Sequence, residues 1–162
     1  MRVISLGWGV QSFALAAMSA LGELPSVDAA IHADTTHERS ETYAFAENWT
    51  PWLEERGVRV MTVKGKPERL AAVQTHNVKS VMIPVFTAWE SGVPSGMLRR
   101  QCTDDWKIAQ IRRWLQKNRN GEQVEQWIGI TRDEATRMKK SDVKYIKNRF
   151  PFIELFDPRM SR

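Results

Sequence analysis

Residues that can hold a phosphate stand near the start of the chain. An apolar run at residues 3–6 leads into a turn, residues 7–12 (GWGVQS), and then into an alanine-rich helical pattern. Glycines let a backbone turn tightly and approach a ligand, and the first amides of a helix favour an anion. Ser5 and Ser12 add hydroxyls at either rim. The pattern predicts a phosphate-binding turn, although a plain strand-to-helix turn capped by Ser12 explains the same residues.

Three further polar clusters carry groups that suit a nucleotide. They are residues 34–38 (DTTHE), 99–103 (RRQCT) and 131–137 (TRDEATR). Each cluster follows a predicted strand or borders a long loop. In a parallel sheet the segments that follow the strands meet at one edge, so glycine amides, carboxylates and arginines converge there. We therefore expect a site for a Mg²⁺-bound nucleotide.

The elements that must position these clusters alternate between strand and helix patterns. Strands are expected at residues 3–6, 27–31, 58–63 and 124–130, and helices after residue 12 and at 41–55, 67–74 and 103–117. Pro51 either kinks the second helix or divides it. Residues 75–96, rich in proline and glycine, predict a long functional loop. The alternation predicts a doubly wound α/β fold, with one parallel sheet, helices on both faces and ligands at the carboxyl edge.

Composition limits the classes of protein to consider. The 162 residues suit a single domain, 1–162, that buries a core without disulfides or a structural metal. No apolar run approaches the ~20 residues that span a bilayer. The chain starts without a signal-peptide pattern and its one cysteine, Cys102, has no internal partner, so we expect a cytoplasmic protein. A net charge of +5 favours a polyanionic partner, either a nucleotide or a nucleic acid. This composition is compatible with a monomer and with a homo-oligomer.

Five of the seven tryptophans carry a prediction. Four lie at helical spacings among apolar neighbours, which is typical of core packing: Trp49, Trp52, Trp106 and Trp114. Trp8 instead lies inside the glycine turn, where chain reversal needs no large ring. Its position favours a ring that covers a ligand or a partner surface.

A transition-metal site is not expected. His32, His37 and Cys102 lack the CxxC or HxxxH spacing of metal ligands, and His32 is expected to point into the sheet or its rim. The metal expected here is Mg²⁺ carried by the nucleotide.

Four segments, taken in order, resemble one family. SLGWGVQS at residues 5–12 resembles the SGGxDS-type signature of PP-loop ATP pyrophosphatases and phosphoadenosine phosphosulfate reductases, in a long-loop, phage-type variety. HADTTHERSET, LRRQCTDDWKIAQIRRWL and QWIGITRDEATRMKKS resemble the family's DTxxE, RxCTxxxK and GIxxDExxR segments. The resemblance covers nearly the whole chain. It implies an adenine nucleotide α-hydrolase-like, Rossmann-like fold.

The resemblance also implies roles for single residues. The turn holds the phosphates of ATP or a related adenine nucleotide through amides and hydroxyls of Ser5, Gly7, Gly9, Gln11 and Ser12. Asp34 and Thr35 lie beside the metal or the adenosine, and Glu38 faces the same cleft. The later segments contribute four cations and one glycine to nucleotide binding: Arg100, Lys107, Arg132, Arg137 and Gly129.

Each of these roles has a structural alternative. In the first alternative, Asp34 only caps the following helix. In the second, Glu38 pairs with a nearby arginine on the surface. In the third, Arg137 and Lys139 belong to a solvated helical face.

Two departures from the family bear on the reaction. Gln11 stands where SGGxDS has its acidic residue, which removes a charge that could hold Mg²⁺ or water, and residues 150–155 are not followed by the relatives' cysteine-containing tail. A thiol reductase needs a mobile nucleophilic cysteine, and Cys102, beside Arg99 and Arg100, is the one candidate. We expect attack by an unknown acceptor on the α-phosphorus, with pyrophosphate leaving.

In that reaction Arg132 stabilises charge and Asp34 is a second catalytic candidate. Two other functions stay open. One is a phosphoadenosine phosphosulfate reductase-like enzyme that uses Cys102 or a partner's cysteine. The other is a non-catalytic module that binds nucleotide or nucleic acid. In that case Gln11, in place of the acidic residue, indicates that catalytic activity has been lost.

Overall fold

The structure, a computed structural model, describes residues 1–36, 38–65, 86–97 and 107–154. In chain order its elements are β1 (Arg2–Ser5), α1 (Val10–Ala20), β2 (Ala29–Asp34), α2 (Ser40–Glu55), β3 (Val60–Lys64), β4 (Phe86–Ala88), β5 (Pro94–Met97), α3 (Ala109–Asn118), β6 (Val124–Trp127), a 3₁₀ helix (Arg132–Arg137), β7 (Ile146–Arg149) and α4 (Pro151–Glu154).

Five strands form one sheet in the order β3-β2-β1-β6-β7, and every pairing in it is parallel. The chain adds β2 and β3 on one side of β1, and later adds β6 and β7 on the other side. The strand order therefore reverses between β1 and β6. At such a reversal the connections leave towards opposite faces, and a crevice opens at the carboxyl edge. The expectation of an α/β protein with a parallel sheet is confirmed.

Helices cover both faces of the sheet because neighbouring strand residues point to opposite sides. Ile4 and Ala30 pack with apolar residues of α1 and α2 in one buried cluster. Val3 and Ile31 pack with Leu115 of α3 in the other. Both clusters hold the carboxyl ends of β1 and β2 in place.

The tryptophan predictions agree with the structure where it describes them. Trp49 and Trp52 pack against the first cluster and Trp114 against the second, whereas Trp106 lies outside the described residues. Helix α2 runs through Pro51 without a break, so the proline does not divide it.

Three parts of the fold differ from the sequence-based expectations. Strand β6 ends at Trp127, three residues before the predicted end, and β7 and α4 had not been predicted. Within the predicted loop, residues 86–97 form an antiparallel hairpin of β4 and β5. The predicted helix at 67–74 and the rest of that loop lie outside the described residues.

Candidate functional site

The turn between β1 and α1 has an unexpected backbone. Trp8 has a φ of 57°, in the left-handed region that favours glycine, whereas Gly9 is extended with a φ of −78°. The ring of Trp8 is buried against Phe13, His32 and Phe45, and its Nε1 is a buried donor with no acceptor among the described residues. The prediction that this ring covers a ligand or a partner is therefore wrong, because it belongs to the core.

Helix α1 begins directly after this turn and has Gly9 as its N-cap. Among the residues that the structure describes, no side chain caps the helix and no acidic residue lies in its first turn. The first amides of a helix have no acceptor within the helix, and they carry its positive dipole end. A Cβ on Gly9 would meet nothing within 4 Å. This end of α1 is therefore open to an anion.

The hydroxyl of Ser12 connects two backbone groups of the turn. Its hydroxyl accepts a hydrogen bond from the Gly7 amide at 3.1 Å and donates to the Gly9 carbonyl at 3.1 Å. Ser12 therefore shapes the loop and does not cap α1, the alternative that the sequence left open. Ser5 ends β1 at the same edge of the sheet.

Gly129, in the segment after β6, lies directly against the first turn of α1. A Cβ at this position would stand 2.7 Å from the Gln11 carbonyl carbon and 2.8 Å from the Ser12 amide nitrogen. Real Cβ atoms do not come this close to backbone, so only glycine allows the approach. The segments that follow β1 and β6, which meet at the reversal of strand order, are thus in contact.

Polar contacts extend this junction into the 3₁₀ helix. Gln11 donates from Nε2 to Thr131 Oγ1 at 2.8 Å and to Glu134 Oε2 at 3.0 Å. Thr131 donates to the Asp133 carboxylate, and Glu134 accepts from Arg137 at 2.9 Å. We call residues 7–12 together with residues 128–137 the β1–β6 corner.

Asp34, at the end of β2, is a buried carboxylate with three donors. It accepts hydrogen bonds from the Thr36 amide at 2.7 Å and the Tyr43 hydroxyl at 2.9 Å, and it pairs with Lys64 at 3.2 Å. Burial alone would raise the pKa of Asp34, but these three donors outweigh it and hold the pKa below the ordinary 3.8. The N-cap of α2 is Arg39. Asp34 therefore joins β2, α2 and β3 and does not cap the helix.

Glu38 links two of the predicted site residues. One of its carboxylate oxygens accepts from Thr35 Oγ1 and from Lys107 Nζ, both at 3.0 Å. Burial would raise the pKa of Glu38, but Lys107 and Thr35 lower it more, so the group is ionised. The partner of Glu38 is thus a lysine and not an arginine. This contact brings the segment before α3 to the end of β2.

The other predicted site residues are placed less completely. Arg132 and Arg137 form the two ends of the 3₁₀ helix, and the side chain of Arg137 is 66% exposed beyond its bond to Glu134. That exposure agrees with the solvated face that the sequence left open for Arg137. Arg100 and Cys102 lie outside the described residues, as do Arg99 and His37.

Sequence reasoning gave no individual role to three residues near this edge. Thr131 and Glu134 form the Gln11 contacts, and their place two and five positions after Gly129 was the available signal. His32, the third, is buried, and its Nδ1 donates a hydrogen bond to the Leu6 carbonyl, 3.1 Å away. Since a carbonyl only accepts, Nδ1 carries the proton in this bond. Burial lowers the pKa of His32, so its ring is neutral near pH 7.

Two further features concern metal ligands among the described residues and the cavities that these residues line. Nowhere in the described ranges do three His, Cys, Asp or Glu side chains come together in a way that holds a metal ion. Two cavities of about 430 and 670 Å³ lie at the opposite edge, and Asp28, just before β2, lines both. These cavities are remote from the β1–β6 corner.

The fold and the corner together define an α/β protein in which a helix N-terminus that no described side chain caps lies at the reversal of a parallel sheet. No protein-family model and no curated protein matches the chain. None of the helices within the described residues is both long and apolar enough to cross a membrane.

Proposed function

We propose that the chain binds ATP or a related adenine nucleotide at the β1–β6 corner and transfers its adenylyl group to an acceptor. The observation that carries this proposal is the open start of α1 at the reversal of strand order, with room above Gly9. Parallel α/β proteins bind ligands at such reversals, and helix N-termini favour phosphates. The four segments that resemble PP-loop ATP pyrophosphatases support an adenine nucleotide and the doubly wound, adenine nucleotide α-hydrolase-like version of the fold.

In this reaction the first amides of α1 hold the phosphates, and Arg132, across the corner, stabilises negative charge that builds at the α-phosphate. An oxygen or nitrogen of the acceptor attacks the α-phosphorus. A new bond to phosphorus forms, the bond to the bridging oxygen of the β-phosphate breaks, pyrophosphate leaves, and the proton of the acceptor passes to solvent. Mg²⁺ bound to the nucleotide neutralises phosphate charge. The described residues offer it no three-ligand cage.

Gly9→Val tests the location of the nucleotide. The φ of −78° and ψ of 164° at Gly9 suit valine, so we expect the fold to survive. ATP at ~100 times its dissociation constant stabilises the native state by about 2.7 kcal/mol, which corresponds to a Tm shift of roughly 5–10 °C. The bulk above α1 should weaken ATP binding at least tenfold and remove most of this shift in a thermal unfolding assay.

Ser91→Val is the control, because it places the same valine side chain on the exposed β4–β5 hairpin. It should leave the ATP-induced shift intact. Equal shifts in the wild type and in both variants would mean that the nucleotide binds elsewhere.

Glu38→Gln tests whether Lys107 contacts the nucleotide. The variant removes the charged partner of Lys107 and frees its ammonium group for a phosphate. We expect ATP to bind about threefold more tightly, consistent with the modest energy of a partly exposed ion pair, and Lys107→Met to bind more weakly. Isothermal titration measures both changes. Unchanged affinity for ATP in both variants would mean that Lys107 does not contact the nucleotide.

Labelled ATP tests the reaction. The wild type should release pyrophosphate, and release of phosphate alone would contradict attack at the α-phosphorus. Cys102→Ser should keep adenylyl transfer but would abolish a thiol-dependent reductase. Tight ATP binding without any turnover would favour the non-catalytic module.

A further inference from the structure

Hydrogen bonding fixes the side chain of Gln11 in one orientation. The Glu134 carboxylate only accepts hydrogen bonds, so the Gln11 atom that lies 3.0 Å from it must be the amide nitrogen. The second hydrogen of that nitrogen goes to Thr131 Oγ1, which gives its own proton to Asp133. Turning the carboxamide over would set its oxygen against the Glu134 oxygen. The contacts therefore allow one rotamer of the amide group.

These contacts use only the amide nitrogen of Gln11 and do not involve its amide oxygen, Oε1. No described residue donates to it, and Gln11 is partly exposed in the first turn of α1, two positions after Gly9. The corner thus presents a neutral hydrogen-bond acceptor, held in a fixed direction, beside the helix end that favours an anion.

We propose that Oε1 of Gln11 accepts a hydrogen bond from the group that attacks the nucleotide, so that the acceptor substrate carries a neutral hydroxyl or amine. This inference rests on the proposed function and names the chemical class of its second substrate. Gln11 is the specificity-determining residue, and Thr131 and Glu134 position it. The acceptor's hydrogen is held at Oε1 as the bond to phosphorus forms, and it leaves to solvent when pyrophosphate departs.

Anionic acceptors fit this corner poorly. A carboxylate, a sulfite or a thiolate has no hydrogen to give to Oε1, which would then stay unpaired. Such a group would also approach the Glu134 carboxylate, whose side chain is only 17% exposed, and the phosphates held at α1. A site that hydrogen-bonds a substrate group rejects analogues that lack it far more strongly than a purely apolar site does.

A panel of small acceptors tests the inference on the full chain. Glycerol and hydroxylamine supply neutral donors, while acetate and sulfite are anions of similar size. With ATP and one acceptor at equal concentration, we expect the first pair to accelerate pyrophosphate release at least tenfold more than the second. The adenylylated products should be detectable by mass spectrometry.

Glu134→Gln tests the positioning of Gln11. The new carboxamide can donate to Oε1, so Gln11 is no longer held in one orientation. We expect ATP affinity to stay within about threefold of wild type, since the nucleotide site itself is kept, and the preference for glycerol over acetate to fall about tenfold. Gln116→Met, on the exposed face of α3, is the control and should change neither quantity.

The side-chain amide of Gln11 gives a readout that does not depend on turnover. In ¹⁵N-labelled protein its two protons should be shifted apart and exchange slowly with water, and Glu134→Gln should remove both properties.

Bound ATP together with equal use of acetate and glycerol would overturn the inference and leave the proposed function standing. Bound ATP without transfer to any probe would overturn it as well, because the corner would then take no acceptor. Absence of ATP binding would remove both proposals.

Discussion

Gly129→Ala is expected to lower the free energy of unfolding by about 2–3 kcal/mol, the cost of forcing atoms into a packed contact. For a chain of 162 residues this corresponds to a fall in Tm of roughly 5–10 °C. The added Cβ would stand 2.7 Å from backbone of Gln11, which cannot move aside as a side chain can. The segment after β6 must therefore shift away from α1.

That shift should also break both Gln11 hydrogen bonds and weaken ATP binding at least tenfold, because the two halves of the corner separate. Thermal unfolding and titration calorimetry measure the two effects. Gly7→Ala is the matched control for folding, since its Cβ would meet Ser12 Oγ at an ordinary 3.8 Å. A Gly129→Ala protein with wild-type Tm and wild-type ATP affinity would show that the two segments do not touch in solution.

Asp34→Ala should have the second large effect, a loss of about 3 kcal/mol in the free energy of unfolding at pH 7. The substitution removes the shared acceptor of the Thr36 amide and the Tyr43 hydroxyl and the ion-pair partner of Lys64, and a hydrogen bond to a charged group contributes about 1.5–3 kcal/mol. Asp34→Asn keeps one acceptor oxygen and should lose about half as much. Urea unfolding measures the difference.

The effect of Asp34→Ala should depend on pH. The pKa of Asp34 is lower in the folded protein than in the unfolded chain, so this carboxylate contributes stability above its unfolded pKa and loses it as the pH falls through the folded pKa. The gap between wild type and Asp34→Ala should therefore shrink as the pH falls from the unfolded pKa through the lower folded pKa. Asp142→Ala, which removes an exposed carboxylate and its surface ion pair with Arg112, is the control and should change the midpoint at pH 7 far less. A gap that stays constant with pH would mean that folding does not lower the pKa of Asp34.

The sequence predicted secondary structure best where a short apolar run or a clear helical periodicity marks the element. Residues 3–6, 27–31 and 41–55 predicted β1, β2 and α2 within a few positions, because burial on both faces of a parallel strand leaves few polar residues in it. Strand β7 reads IKNR and, among the described strands, pairs only with β6. An edge strand with polar residues carries little periodic signal, which explains why it had not been predicted.

Details of the site were less predictable. The four clusters were expected at one edge, and the contacts of Gln11 with residues 131–134 and of Glu38 with Lys107 agree with that for the residues described. The bond between Gln11 and Glu134 joins side chains 123 positions apart, and no local pattern encodes such a pairing. The left-handed backbone of Trp8 was equally hidden, because two flanking glycines suggested that one of them would take that conformation.

The pairing of β1 with β6 has a consequence for synthesis of the chain. Arg2 aligns with Glu125, so the central strand of the sheet is made long before the neighbour that completes it. Until the ribosome has added β6, one row of backbone amides and carbonyls on β1 stays open to any other extended peptide. Pairings this distant in sequence also form slowly. During this interval the open edge of β1 is a place where the unfinished chain can pair wrongly or aggregate.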